Sequence, residues 1–196
     1  MGEQKSIRKT EPAAGSKEAR KAAAPDPAQL AAMLAARELR WQKRMALAGM
    51  TPSLISATLC VPLPFRTQPE AEQILRESME KLTEELQRAG LGPGTALFLN
   101  GADGPAVFLP CDGAAKAVKH FCVEKEETLP MGRLLDLDVT GQDGVPVGRA
   151  ELGLPPRKCF LCGRPAAECV AAARHDAAQI AAFVEAFLKN RGSIVP

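Results

Sequence analysis

No apolar run in this 196-residue chain approaches the ~18 to 20 residues that a membrane span requires, so no membrane partner is expected. The polar, lysine-bearing start "MGEQKSIRKTEPAAGSKEARK" lacks the apolar centre of a secretory signal, which points to the cytoplasm. An excess of one charge is missing too. A net charge of +2 provides no strongly basic face of the kind that sequence-independent nucleic-acid binding relies on, so no nucleic acid is expected as a partner. Internal repeats are absent. Six cysteines without a secretory signal argue for reduced thiols or metal ligands over a disulfide framework. What is present, 46% hydrophobic and 24% charged residues, suits one globular domain with a proper core.

Residues 1–25 contain Ala, Gly, Ser, Lys, Glu and Pro but almost no large apolar side chain. They cannot bury enough surface to offset the entropy of ordering and read as a disordered tail ahead of one domain spanning 26–196. A cap-like Asp26 followed by Pro27 opens a helix along "AQLAAMLAARELRWQKRMALAG", which Gly49 ends. "SLISATLCVPLP" is rich in strand formers and predicts a strand near 53–61, stopped by Pro62 and Pro64. Ala71, Ile74, Leu75, Met79, Leu82 and Leu86 recur at spacings of three and four, a helix over 69–89. "TALFL" and "AVFLP" are strand candidates at 95–99 and 106–110, joined by turn-forming residues at 100–104. "DGAAKAVKHFCVEKEET" predicts another helix, and "GRLLDLDV" a strand over 132–139 that turns at Gln142, Asp143 and Gly144 into "VPVGRAEL". A last helix is expected from about Pro165 toward Asn190. The class is α+β: a mixed sheet of about four to six strands packed by about four helices.

Two stretches carry the chemistry. Side chains alternate along a strand, so Asp136 and Asp138 share a face, together with Leu134. Paired carboxylates in an otherwise apolar segment call for a cation, basic side chains or a shared proton, and a hard ion such as Mg2+ fits best. Gly132 permits a close backbone approach, and Arg133 offers a planar charged fork suited to phosphate oxygens. A solvated pair of surface aspartates is the plain alternative. The second stretch, "GLPPRKCFLCGRPAAEC", gathers Arg149, Arg157, Lys158 and Arg164, a set able to hold an anion. Cys159, Cys162 and Gly163 have the spacing of a zinc knuckle, and Cys169 with His175 completes four potential Zn2+ ligands. Six residues along an unbroken helix turn Cys169 and His175 by about 240°, so both reach one metal only if the helix starts later or breaks between them. Packed free thiols beside a tight turn are the alternative.

Taken together, "PMGRLLDLDV", "GLPPRKCFLC" and "AAEC" with His175 six positions later resemble the citrate lyase holo-acyl-carrier-protein synthases, the apo-citrate lyase phosphoribosyl-dephospho-CoA transferase family. Members of that family have a G-R-L-aromatic-D-x-D-V strand, an L-P-P-R-[RK]-C-x-x-C segment and a later Cys and His at these spacings. Upstream, Arg37, Glu38 and Arg40 of "ARELR" match its R-[DE]-x-R. The resemblance covers roughly residues 28–190 and is densest over 130–175. Departures are Leu135 where Trp or Phe is usual, Leu129 in place of a His, and "VPLPFR" where a P-G-P-x-K-like segment is expected.

The resemblance implies a nucleotidyltransferase reaction. The donor is 2'-(5''-triphosphoribosyl)-3'-dephospho-CoA, the acceptor is a serine of the apo acyl carrier protein (the citrate lyase gamma subunit), and pyrophosphate leaves. Asp136 and Asp138 would then hold Mg2+, Arg133 with Arg157 and Lys158 would offset phosphate charge, and Gly132, Arg37 and Arg40 would contact substrate. A different class of function is a zinc-supported binding or assembly module for a carrier-protein enzyme, built on Cys159, Cys162, Cys169 and His175, without catalysis. Free Mg2+ in the assay against stoichiometric zinc in the protein separates the two.

Overall fold

A computed structural model describes residues 26–190, so the expected tail at 1–25 lies outside the described residues. Asp26 accepts a hydrogen bond from the Gln29 N–H at 2.8 Å, and with Pro27 in the first turn it starts α1 (Pro27–Ala48). The chain continues through β1 (Ser53–Leu59), a short α2 (Leu63–Arg66), α3 (Pro69–Arg88), β2 (Leu97–Gly101), β3 (Gly104–Cys111), α4 (Ala115–Thr128), β4 (Leu135–Gly141), α5 (Ala166–Ala171) and α6 (Ala177–Lys189). Among the described residues, no helix is long and apolar enough to cross a membrane.

The α+β class holds, but the sheet is antiparallel throughout, with four strands in the order β2-β3-β1-β4. The expected mixed sheet does not form because the α4 crossover carries the chain from β3 past β1 before it pairs again. The strands that run the same way are therefore never neighbours. The succession β1, α3, β2, β3, α4, β4 is the split β-α-β arrangement.

Alternation along the strands builds the core. Ile55, Ala57 and Leu59 of β1, Val107 and Leu109 of β3, and Leu135, Leu137 and Val139 of β4 face Leu75, Met79, Leu82 and Leu86 of α3, Val118 and Cys122 of α4, and Val184 and Phe187 of α6. Burying these side chains, each stabilising by about 1.5–3 kcal/mol for a large aliphatic or Phe, makes this layer the main source of stability. The opposite face is only half covered. There α1 packs across β1, β2 and β3 over a small cluster of Ala48, Leu54 and Phe108, and the β4 side carries polar residues.

The outer edge of β4 pairs with side chains where another strand would otherwise add. Buried Glu126 accepts from the Leu137 N–H at 3.1 Å, and buried Lys119 donates to the Leu137 carbonyl at 2.7 Å. These two α4 residues close an edge that would otherwise recruit another chain. The "VPVGRAEL" segment adds no further strand to the sheet. It makes one bridge between Thr140 and Pro146, with bonds from the Val147 N–H to the Val139 carbonyl at 2.8 Å and from the Gly141 N–H to the Val145 carbonyl at 2.9 Å, then turns through a 3-10 helix at Ala150–Leu152. Pro146 and Gly148 limit longer pairing.

Candidate active site

The expected strand over 132–139 starts later than its apolar pattern suggests. Gly132–Leu134 is a 3-10 turn, so the two aspartates share their sheet face with Thr140 and not with Leu134. Asp138 stands opposite Ser56 and Asp136 opposite Thr58 on neighbouring β1. This register places two carboxylates and two hydroxyls on the half-covered face.

Above them lies a cavity of about 270 Å³, lined by Arg37, Arg40, Trp41 and Arg44 of α1, Arg66 of α2, Ser56 and Thr58 of β1, and Asp138. Spacings of three and four bring the three α1 arginines to one side of the helix. Two of the groups lining this cavity are buried without a hydrogen-bond partner among the described residues: the Ser56 hydroxyl and the Arg44 Nε. An unmatched donor set in a basic cavity is the signature of a place for an anionic ligand.

Two of the arginines are fixed from behind. Arg40 forms an ion pair with Asp103, whose side chain is only 1% exposed, and Arg37 Nε lies 3.7 Å from the same carboxylate. Burial lowers the Arg40 guanidinium below its ordinary value, and Asp103 opposes that shift. Arg66 donates from Nε and Nη2 to the Val61 carbonyl at 3.2 and 3.0 Å. Gly104 of the β2–β3 turn has φ +102, and a Cβ there would lie 2.6 Å from Arg66 Cγ. Glycine is what lets the hairpin close against α2.

The carboxylates differ. Asp138 is exposed along the strand, yet the groups crowding its carboxyl raise it above its ordinary value, first by loss of hydration and then by Asp136, with Lys119 and Arg44 pulling the other way. Asp136 is half-exposed, with Oδ1 3.4 Å from Arg157 Nη1. Arg157 also donates to the carbonyls of Leu135 at 2.7 Å and Arg133 at 3.0 Å, and it lies 3.4 Å from Glu126, which Arg149 meets at 2.5 Å. Arg157 thus rivets the loop after β4 to the strand that carries the aspartates.

A second cavity of about 410 Å³ opens on the other side of Asp136, lined by Arg157, Lys158, Phe160, Leu161, Val170 and Ile180 among others. It is mostly apolar. Of the residues expected to meet substrate, Arg37 and Arg40 therefore stand with Asp138, while Arg157 and Lys158 stand with Asp136. Arg133 lines neither cavity; its carbonyl accepts from Arg157 and from the Cys60 thiol. Gly132 is buried, and a Cβ on it would lie 2.3 Å from the Lys125 carbonyl. The close approach that Gly132 allows is to α4, not to a ligand.

The last helix is broken where one continuous helix over 165–190 was expected. α5 ends at Ala171 and α6 begins at Ala177 behind Asp176, which forms a capping box with Gln179. Ala173 between them has φ +43. This break removes the 240° separation of Cys169 and His175. Cys159 Sγ lies 3.4 Å from His175 Nε2, Cys162 Sγ lies 3.4 Å from Cys169 Sγ, and all four donor atoms fall within 4.8 Å of one another. The other cysteines are elsewhere. Burial pushes the Cys111 thiol up to about 12 and raises Cys60 and Cys122 as well, which leaves them as packed thiols.

The sequence model of the family described as apo-citrate lyase phosphoribosyl-dephospho-CoA transferase matches residues 28–191. The chain belongs to this family. It is 31% identical over 158 residues to the apo-citrate lyase phosphoribosyl-dephospho-CoA transferase of Citrobacter koseri, covering 81% of this chain and 84% of that relative. Similarity to the probable enzyme of the same name from Vibrio cholerae is 30% over 146 residues, 74% of this chain and 79% of the relative. Protein CitXG of Leuconostoc mesenteroides subsp. cremoris is 33% identical over 155 residues, 77% of this chain, which spans only 32% of that relative.

The match to this transferase family runs from α1 to α6 and so takes in every element that lines the two cavities. Sequence reasoning missed several residues that the fold brings to the first of them. Arg44 carried a usable signal, since it continues the helical spacing of Arg37 and Arg40. Arg66 carried a signal only through the resemblance, as the basic residue that ends "VPLPFR"; Ser56 and Thr58 carried none, because their position follows from strand register. Asp103 read as a turn former, and its role as the buried anchor of Arg40 depends on α1 crossing the hairpin.

Proposed function

We propose that this chain is a nucleotidyltransferase that joins the 2'-(5''-triphosphoribosyl)-3'-dephospho-CoA group to a serine of the apo acyl carrier protein of citrate lyase and releases pyrophosphate, in the cytoplasm. The observation that carries the reading is the convergence of Arg37, Arg40, Arg44 and Arg66 on a cavity floored by Asp138 and Ser56. Guanidinium forks suit phosphate oxygens, and a triphosphate brings several charges to match. A binding module without catalysis gives this cavity no use.

The donor set of Asp136 and Asp138 is oxygen only, and two carboxylates side by side on one sheet face, with Asp138 raised first by loss of hydration and then by Asp136, fit a hard divalent ion such as Mg2+. Bound there with substrate phosphates, Mg2+ would offset charge on the transferring and leaving oxygens. The chain's own residues do the rest. Arg40 and Arg66, held by Asp103 and by the Val61 carbonyl, present fixed donors that need no reorganisation as charge moves toward pyrophosphate. Arg37, largely exposed, closes on the outer phosphates. The Ser56 hydroxyl donates to a phosphate oxygen. The carrier serine oxygen attacks the phosphorus nearest the ribose, a new P–O bond forms, and the P–O bond to pyrophosphate breaks in line. One of the two aspartates, through a carboxylate oxygen that the ion leaves free, accepts the serine proton. The apolar cavity beside Asp136 suits the adenine or the pantetheine arm of the donor.

Intact-mass analysis of the apo carrier incubated with donor, Mg2+ and this protein tests the proposal. A mass gain equal to the donor less pyrophosphate is expected. No gain with a validated donor and cognate carrier overturns it.

A further inference from the structure

We infer that Cys159, Cys162, Cys169 and His175 hold one structural Zn2+ ion that folds the segment between β4 and α6 and so seats Arg157 against Asp136. Four donor atoms within 4.8 Å of one another lie close to what tetrahedral zinc demands, where Zn–S bonds of about 2.3 Å set neighbouring sulfurs about 3.8 Å apart. Thiolate and imidazole donors select zinc over the hard ions that suit the aspartates. With four protein ligands the set is closed, which makes the ion structural and leaves no position for substrate.

The backbone is shaped for this. The Leu161 N–H points at Cys159 Sγ at 3.4 Å, the Gly163 N–H donates to the Cys159 carbonyl at 3.0 Å, and the Cys159 N–H donates to the Arg164 carbonyl at 2.6 Å. Gly163 has φ +70, which lets the loop curl so that both its cysteines face inward. On the far side, Ala173 is held in the left-handed region at φ +43, a conformation that residues other than glycine rarely adopt. That turn swings His175 back onto Cys159, and contact with a shared metal compensates for it.

The second argument is what the segment lacks. From residue 142 to residue 176, Cys159 and Cys169 are the buried residues, and neither belongs to a hydrophobic cluster. Phe160 stacks on Phe183 of α6 at 4.8 Å between ring centroids, but that contact ties down one point of the loop, and two small thiols make too little core to fix the conformation of a segment of this length. Binding free energy at a thiolate site becomes folding free energy. A Cys162–Cys169 disulfide, the competing use of two sulfurs 3.4 Å apart, leaves Cys159 and His175 facing each other without purpose.

The test is metal analysis of protein purified under reducing conditions without chelator, followed by trypsin digestion with and without a strong zinc chelator. About one zinc per chain is expected. Chelation should speed cleavage at Arg149, Arg157, Lys158 and Arg174 roughly tenfold or more while the sheet and α3 survive. Cys162 is exposed, so Cys162→Ser leaves no cavity and should remove the zinc and reproduce the cleavage. If that variant fails to fold, Co2+ exchanged into the wild-type chain should give the intense bands of tetrahedral cobalt thiolate. Metal-free folded protein with chelator-insensitive cleavage, or a mapped Cys162–Cys169 disulfide, overturns the inference. None of these readouts needs transfer, so their outcome is independent of the proposed reaction.

Discussion

Two regions of this protein are held together by different physics. From β1 to β4 the strand residues that face α3 and α4 are buried almost without exception, whereas from residue 142 to residue 176 Cys159 and Cys169 are the buried ones. The first region is stable because apolar area leaves water. The second hangs on directed contacts: Arg149 and Arg157 on Glu126, Arg157 on the strand carbonyls, and the Cys-His cluster. The aspartates lie on the joint between them. Asp138 belongs to the sheet and its arginine-lined cavity, while Asp136 is held by the weaker region through Arg157. The proposed transfer site on this joint has one wall held by the packed sheet and one held by the polar contacts of Arg149 and Arg157.

The largest effect should come from the rigid wall. Leu82 is fully buried in the main cluster, and Leu82→Ala should lower the unfolding free energy in urea by about 3 kcal/mol. Loss of under ~1 kcal/mol would mean that the layer between sheet and α3 does not dominate stability.

At the joint, Asp136→Asn and Asp138→Asn should each keep the fold and slow transfer at least about a hundredfold, ~2.7 kcal/mol on the barrier. The folded-state Asp138 carboxyl is raised by partial loss of hydration and by Asp136, so the folded chain binds that proton more tightly than the unfolded one. Stability therefore declines as pH rises from the ordinary aspartate value through the raised one. Asp138→Asn removes this decline, so without Mg2+ its melting temperature at neutral pH should equal or exceed that of the wild type. Wild-type turnover in either variant refutes the assignment of the pair to catalysis.

A smaller change is expected from Arg44→Ala, which takes away one cavity donor but leaves the anchored Arg40 and Arg66 in place. Transfer should fall about tenfold, ~1.4 kcal/mol, chiefly through weaker donor binding, read as a raised KM. An unchanged KM would remove Arg44 from the phosphate site. The smallest effect belongs to the surface of the weaker region. Val145 is 55% exposed, and Val145→Ala should alter stability by less than ~0.5 kcal/mol; a larger loss would show that the segment has apolar support of its own.

Much of this was legible in the chain. The three-and-four spacing along α3, the Asp26-Pro27 start of α1 and the D-x-D strand are local patterns, set by residues within one or two turns of each other. So is the pairing of Cys159 with Cys162. The sequence determined by itself the α+β class, the long helices α1, α3 and α4, the carboxylate pair and the Cys-x-x-Cys spacing, since each follows from short-range periodicity or side-chain chemistry. Tertiary structure alone decided the rest. That β4 docks on β1 and not on β3 made the sheet antiparallel and set Asp138 opposite Ser56. That α1 crosses the β2–β3 hairpin turned Asp103 from a turn former into the anchor of Arg40. The break at Ala173 brought His175 to Cys159, and the contact of Gly132 with α4 gave that glycine a packing role. Each of these depends on which distant elements share a surface, and residues that meet across such surfaces leave no period in the chain.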